Sequence, residues 1–428
     1  MNLKLLQRKS THTGATVLVM APYFPAINQP WIDTYLEGLQ AQGMAFKVFS
    51  WNRRPTKYHE KVNQLDLRSQ IVLAPTGRLH PLTKGVKAIA QSPSISWTVA
   101  VASFRNNGEK SVLRRVNRSI HALAALAALQ RYPDAAVIHS HSEFMSSAFL
   151  EAAQALAIPL VMTFHGLPPL GVKPISSARR SQIAAYATSV LVNTQFARAK
   201  AVKIGYHDIT MRVVPQGLPL DDFPPRNHDK KRNGTVHVLS VGRMHRDKGH
   251  AYALIALARL ARAGVDIRWR FIGSGPDRER LERLAERLGI SSLISFEQNL
   301  ALSEMVACYQ SSHLFVLASI PNQNPYRHVE TQGVVLQEAQ ASGCIPIATR
   351  VGGIPECINH GEDGWLVKPR SHRAIALAIT ELVSRRDAWP EIRKLGRQNV
   401  ETRFSAHSVA EQVAEILEHA ARQPLGKR

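Results

Sequence analysis

Twice along its 428 residues the chain settles into one alternation: a short apolar run that reads as a strand, then a stretch with helical spacing. In the first half the runs are Thr16 to Met20, Phe46 to Phe49, Val137-Ile138, Leu160 to Phe164, Ser189 to Val192 and Met211 to Val214. Trp31 to Gln42 and the Ala/Leu-rich Ile120 to Leu129 supply helical spacing between them. The second half restarts with Val236 to Val241, Trp269 to Ile272, Leu293 to Phe296, Leu314 to Leu317 and Ile345 to Ala348. Its helical stretches are His250 to Ala263, Pro276 to Leu288 and Ser303 to Tyr309, and three more close the chain at 371–386, 388–402 and 407–422. Strands that alternate with helices build parallel sheets covered on both faces. The chain is too long for one common core, and the Pro- and charge-rich connector 216–234 places the domain boundary near 225–235. Two open sheets that face each other leave a cleft, and ligands bind beyond the carboxyl ends of such strands.

Arg327 to Glu356 is the most informative stretch within this frame. Two carboxylates, Glu330 and Glu338, stand eight positions apart, with Gly333 between them and an apolar, helix-favouring run behind. Ser342-Gly343 suits a helix end, and Gly352-Gly353 opens a turn into Pro355, a residue at home in the first turn of a helix. A helix that starts near Gly333 points unpaired N–H groups and a positive dipole end at whatever precedes it, which favours an anion. The carboxylates cannot bind phosphate, but they can accept hydrogen bonds from sugar hydroxyls beside one. Arg327 and Lys368 are nearby cations with no role assigned by the pattern.

Two further strand ends carry glycine turns. In Ser240 to Gly249, Gly242 permits close approach, and Arg243 and Lys248 lie five apart across a tight turn, within reach of one diphosphate. Phe271 to Pro276 contains Gly273 and Gly275 but lacks the third glycine of a dinucleotide fingerprint, which disfavours dinucleotides and leaves a site for one nucleotide edge. His139, His141 and His165 follow first-domain strands. His165-Gly166 should face the cleft, where a neutral imidazole can bond a sugar or phosphate oxygen; His139 and His141 read as packed residues. No carboxylate or Cys has the spacing of a zinc site, and no Asp-x-Asp follows a strand. No obligatory divalent metal and no cofactor are therefore expected. Neither a Walker phosphate loop nor a Gly-x-Ser-x-Gly elbow is present.

The formal net charge is +22, and residues 1–130 hold 17 Lys/Arg against five Asp/Glu. That asymmetry points to anionic partners, a membrane surface before nucleic acid, because the basic residues lack aromatic interleaving and no nucleic-acid motif appears. Residues 53–118 are basic and irregular. Their apolar patch Ile95 to Val101 reads as core helix or a helix hairpin rather than a lipid-touching surface. No apolar run has the length to span a bilayer. Residues 1–14 do not read as a secretory signal, and three unpatterned cysteines fit a reducing cytoplasm.

Taken together, these motifs resemble glycosyltransferase family 4, the retaining, nucleotide-sugar-dependent enzymes of the GT-B fold. The resemblance rests on Val241-Gly242-Arg243 with Asp247-Lys248-Gly249, Phe271 to Pro276, Glu330 to Glu338, Ala341-Ser342-Gly343, Gly352 to Glu356 and Thr163 to Gly166. It implies two facing Rossmann-like domains: an acceptor domain over 1–225 and a donor domain over 226–405. A C-terminal helix over 406–428 would pack back on the first domain. It further implies that Glu330 holds donor-sugar hydroxyls, Glu338 the ribose, and Arg243 and Lys248 the diphosphate. His165 would touch the donor sugar or its phosphate, and Gly242, Gly273, Gly275, Gly333, Val334 and Val335 would line the donor. Many members carry a Gly-Gly pair after the first strand; here that loop is Pro25 to Pro30. Asn28, Gln29 and His141 are accordingly expected at the acceptor. The loop is similar to that of members that build bacterial exopolysaccharides on a lipid carrier. The expectation is a hexosyltransferase that uses UDP- or GDP-sugar and a lipid-linked or polysaccharide acceptor. It would be cytoplasmic and peripheral on the inner membrane face, in exopolysaccharide or lipopolysaccharide synthesis, with no nucleic-acid partner. A nucleotide-sugar epimerase on the same fold and a non-catalytic polysaccharide- or nucleic-acid-binding module are the alternatives.

Overall fold

Val17 to Ala21 are all buried, on both faces of their strand. That is the mark of a parallel sheet with helices on each side. The computed structural model describes residues 16–23, 30–52, 71–73, 89–105, 112–167, 174–226, 234–321 and 329–423, to which all structural statements refer. Seven strands form the first sheet: β1 (Thr16–Tyr23), β2 (Phe46–Asn52), β3 (Ile71–Leu73), β4 (Ala135–Ser140), β5 (Leu160–Phe164), β6 (Ser189–Val192) and β7 (Met211–Val213). Their order is β3-β2-β1-β4-β5-β6-β7, and every pairing is parallel. The second sheet has β8 (Val236–Val241), β9 (Ile267–Ile272), β10 (Ile294–Glu297), β11 (Leu314–Leu317), β12 (Ile345–Thr349) and β13 (Trp365–Val367), in the order β10-β9-β8-β11-β12-β13. The strand order reverses between β1 and β4 and again between β8 and β11. Those are the two places where an open sheet leaves a crevice at its carboxyl edge.

The helices of the first domain are α1 (Pro30–Ala41), α2 (Pro93–Arg105), α3 (Val112–Leu129), α4 (Glu143–Ala155), α5 (Ser177–Tyr186) and α6 (Gln195–Lys203). Those of the second are α7 (His250–Arg262), α8 (Arg278–Leu288), α9 (Leu302–Ser311), α10 (Val334–Ala341), α11 (His372–Ser384) and α12 (Trp389–Arg403), before the final α13 (Ala406–Arg422). Their starts are written locally: Ser176, Thr194 and Ser371 each accept a hydrogen bond from the N–H three residues on, a cap of about 1 kcal/mol. The Ile95–Val101 patch lies in α2, whose Ser96, Val99 and Ser103 are buried and whose Trp97 is exposed. It forms a hairpin with α3, where Ser119 Oγ donates to Ala100 O at 3.0 Å.

The chain crosses between domains twice, and the crossings are bonded to each other. Leu218 N donates to Phe404 O at 2.7 Å and Ala406 N to Leu218 O at 2.9 Å. α13 then returns to the first domain. Its Val413, Ala414, Leu417 and Ala420 share a core with Val17, Val19, Ile32 and Leu36. The fold is the expected pair of parallel-sheet domains with a returning helix.

Candidate functional site

Beyond Val241 the chain turns through Gly242 and Arg243, makes one 3-10 turn at Arg246–Lys248, and enters α7. His250, in the first turn of α7, donates Nε2–H to the Arg243 carbonyl at 3.2 Å. Burial lowers its pKa to about 4, so the ring stays neutral and able to make that bond. Asp247 holds the turn from the other side, 2.8 Å from His245 Nδ1 and 3.5 Å from Arg243 Nη2. Burial pushes Asp247 up, but the His245 hydrogen bond and the charges of Lys248 and Arg243 outweigh it and keep the carboxylate below its ordinary range. Arg243 itself is more than half exposed.

Lys248 reaches across the switch point. Its Nζ contacts Glu330 Oε2, and both side chains are largely buried, at 13% and 16% exposure. Ile320 N donates to Asp247 O at 2.8 Å, which ties the loops after β8 and β11 together. Gly333 caps α10 in the left-handed conformation, which leaves the first N–H groups of that helix, at Val334 and Val335, without intrahelical partners. Glu338, one turn further in, accepts a 2.6 Å hydrogen bond from the buried Tyr309 hydroxyl. Burial raises its pKa, and the Tyr309 bond works against the rise.

Gly273 and Gly275 serve packing. A Cβ on Gly273 would sit 2.0 Å from the Gly242 carbonyl oxygen, and one on Gly275 2.4 Å from that of Met244. The loop after β9 thus lies directly on the loop after β8 and fixes the backbone that presents Arg243. Gly352 does the same for Glu330, whose carbonyl oxygen lies 1.9 Å from where a Gly352 Cβ would be; Gly353 N donates to that oxygen at 3.0 Å.

The first domain meets this loop directly. Thr194 Oγ1 donates to Thr331 O at 2.8 Å, and the Gln332 side chain bonds both backbone groups of Gln216, at 2.8 and 3.0 Å. The Glu356 carboxylate accepts from Gln195 N and Phe196 N at 2.7 and 2.8 Å, so it caps α6 across the domain boundary. Gly166 packs against Thr331, which brings His165 beside the Glu330 loop.

His165 is one of three clustered histidines. Its Nε2 lies 3.2 Å from His141 Nδ1, and His139 bonds Tyr35 at 2.6 Å and Thr163 at 2.8 Å. Trp31 packs 4.2 Å from the His165 ring and 5.3 Å from that of His141. Burial lowers His139 to about 3 and His165 to about 4, and burial with the charges of both neighbours holds His141 well below the ordinary histidine range. All three are neutral at physiological pH. With Trp31 and Tyr35 they line a pocket of about 600 Å³, open mouth included, against α13. Among the described residues no group of three or more His, Cys, Asp or Glu is arranged to hold a metal.

The structure therefore brings Lys248 to Glu330, sets Gly333, Val334 and Val335 at the start of the helix behind it, with Glu338 further along, and places Arg243 on the turn before Lys248, while His141 and His165 line the pocket beside Trp31. Asn28, Gln29 and Arg327 lie outside the described residues, and Lys368 is exposed just past β13. Sequence reasoning missed Tyr309, Thr194, Gln332, His250 and the cap by Glu356. The spacing Thr194-Gln195-Phe196-Ala197 signals a helix start, but nothing in the pattern says that a carboxylate from the other domain completes it.

Two facing Rossmann-like domains whose sheet edges bracket such a crevice define the GT-B architecture. Residues 31–222 match Glycosyltransferase Family 4, and residues 224–402 match Glycosyl transferases group 1. The chain belongs to this glycosyltransferase family. It is 31% identical over 253 residues to a D-inositol 3-phosphate glycosyltransferase of Corynebacterium urealyticum, a match of 55% of this chain and 57% of that protein. A protein described as the colanic acid biosynthesis glycosyltransferase WcaL of Salmonella typhimurium is 25% identical over 350 residues, covering 80% of this chain and 84% of its own. The chain spans little more than half the length of several such curated relatives. Among solved structures, a glycosyltransferase of Rickettsia africae superposes with a TM-score of 0.71 at 18% identity, over 96% of this chain and 100% of its own. Anabaena HepE, solved with UDP and glucose, superposes with a TM-score of 0.67 at 15% identity, over 95% and 100%.

Proposed function

We propose that the chain is a retaining glycosyltransferase that moves a hexose from a nucleotide diphosphate sugar to a lipid-linked or polysaccharide acceptor. It works at the inner face of the cell membrane, in exopolysaccharide or lipopolysaccharide synthesis. The contact of Lys248 with Glu330 at the second switch point carries the reading, because it sets a cation for phosphate beside an acceptor for sugar hydroxyls. Negative charge builds on the leaving diphosphate, where Arg243, Lys248 and the α10 N-terminus stand, and fixed positive groups stabilise such charge most effectively. Glu338, held by Tyr309, takes the ribose hydroxyls. His165 is neutral and acts as a hydrogen-bonding group at the donor sugar. Trp31 and Tyr35 offer aromatic faces to an acceptor ring. Because protein cations meet the diphosphate charge, transfer needs no divalent metal.

The test is a thermal-shift screen with UDP, GDP, ADP and their sugars, with and without EDTA. The uridine series comes first, since HepE holds UDP and glucose. The reading expects one nucleotide to stabilise the protein irrespective of EDTA, followed by transfer with retention of anomeric configuration. If no nucleotide shifts the melt, the crevice is not a donor site. Solvent deuterium entering the sugar without transfer would make the protein an epimerase.

A further inference from the structure

We propose that the outer face of the α2–α3 hairpin is the surface by which the protein docks on an anionic lipid bilayer. The proposal deepens the reading of a membrane-side acceptor and rests on it for the identity of the partner. Trp97 is 74% exposed, Leu113 79%, Val112 64% and Val116 43%. Single exposed apolar residues are ordinary, but four large ones on one helix hairpin mark an interaction site.

Folding does not account for them. α2 turns Ser96, Val99 and Ser103 inward and leaves Trp97 outward. α3 is buried from Ala122 to Leu129, yet its apolar residues continue further out, at Val112, Leu113 and Val116, where no core of the described residues receives them. The helices run antiparallel, with Ala100 beside Ser119 and Phe104 beside Arg115, so Val112, Leu113 and Val116 lie toward the free end of the hairpin and Trp97 about two turns back along α2 from Phe104.

Charge selects the partner. α2 and α3 hold no Asp or Glu, and of their described cations Arg105 is exposed and Arg115 and Arg118 are half-buried. A basic surface with Trp and aliphatic side chains beside it matches the boundary between anionic headgroups and acyl chains. Tryptophan settles there, and each nearby cation adds about 1 kcal/mol of attraction. Among the described residues no helix is long and apolar enough to cross a membrane; this patch engages the bilayer from one side.

The experiment is co-sedimentation of the full chain with vesicles of phosphatidylcholine alone and of equimolar phosphatidylcholine and phosphatidylglycerol. Wild type is compared with the double variant Trp97→Ser/Leu113→Ser. Both substitutions are at exposed positions, and matching melting temperatures check the fold. The expected result is binding to the anionic vesicles that weakens with salt and falls about tenfold or more in the variant, as loss of two interfacial anchors requires. The thermal shift given by the donor nucleotide should be the same in both proteins. Equal binding by wild type and variant overturns the proposal, as does absence of binding while the nucleotide shift persists. A wild-type dimer that the variant turns into a monomer overturns it too, by naming a second copy as the occupant. Loss of the nucleotide shift in wild type counts against the donor site and leaves the vesicle result to decide the docking surface.

Discussion

Lys248 and Glu330, 82 positions apart in sequence, meet as an ion pair between the loops that flank the second switch point. Both side chains are mostly withdrawn from water, so each compensates the other's buried charge. On the proposed reaction the partners exchange: Lys248 turns to phosphate and Glu330 to sugar hydroxyls. The pair is thus a placeholder that keeps both groups near their working positions.

Lys248→Ala and Glu330→Ala should each lower turnover by about 10²–10³, the usual loss when a fixed charge leaves a transition state. The double variant should cost less than the two single losses combined, since residues in direct contact are not additive. Transfer rates at saturating donor measure this; activity within about threefold of wild type in either single variant would remove the role assigned to it.

Tyr309→Phe deletes the hydroxyl that bonds Glu338 at 2.6 Å. A carboxylate deprived of a buried hydrogen bond loses about 1–3 kcal/mol, and its burial-raised pKa should climb further. Nucleotide affinity, read by calorimetry, should therefore fall by about tenfold or more, with the far-ultraviolet spectrum unchanged. Unaltered affinity would mean that Glu338 does not hold the nucleotide.

Glu356→Ala should cost about 1–2 kcal/mol as a lost helix cap, although the helix it caps belongs to the other domain. The melting temperature should drop, and small-angle scattering should report a larger radius of gyration as the domains loosen. A drop in melting temperature with unchanged dimensions would make the contact a local cap only.

Acidification should destabilise the first domain through its histidines. An ordinary histidine titrates near 6.5, whereas His139 and His165 are lowered to about 3 and 4 in the fold by burial. As pH falls below about 6.5 the unfolded chain takes up protons that the folded chain refuses, so the stability they provide is full above that pH and drains away toward about 4. His250 and His313, also near 4, add to the slope from the second domain. His139→Gln should flatten the decline of melting temperature between pH 7 and 4; an identical slope would show that His139 is not among the groups responsible.

The strands of the second domain were readable because their apolar runs are continuous and glycines punctuate the turns after β8, where Arg243 and Lys248 follow, and after β9. β3 and β13, three residues each, are too short to show any period, and β3 lies in the basic stretch that sequence reasoning left unplaced. That Arg243 and Lys248 share one turn follows from spacing; the contact of Lys248 with Glu330 does not, because no local rule links loops so distant. The histidines were visible singly, but their burial comes from Trp31 and Tyr35 on α1, whose docking is set by α13 from the far end of the chain. Glu356 was visible only as a turn residue, since its partners are some 160 positions away.

The loop that carries Glu330 is held from both sides: Gly353 N bonds the Glu330 carbonyl, and Thr194 of the first domain bonds the Thr331 carbonyl. One short segment is therefore gear and tooth at once. A rotation of one domain on the other must drag the Glu330 carboxylate with it, so on the proposed function the movement of the domains and the readiness of the donor site are a single mechanical event. A lesion at Thr194, which lies in the first domain, would on that reading be felt first as a fault in handling the donor.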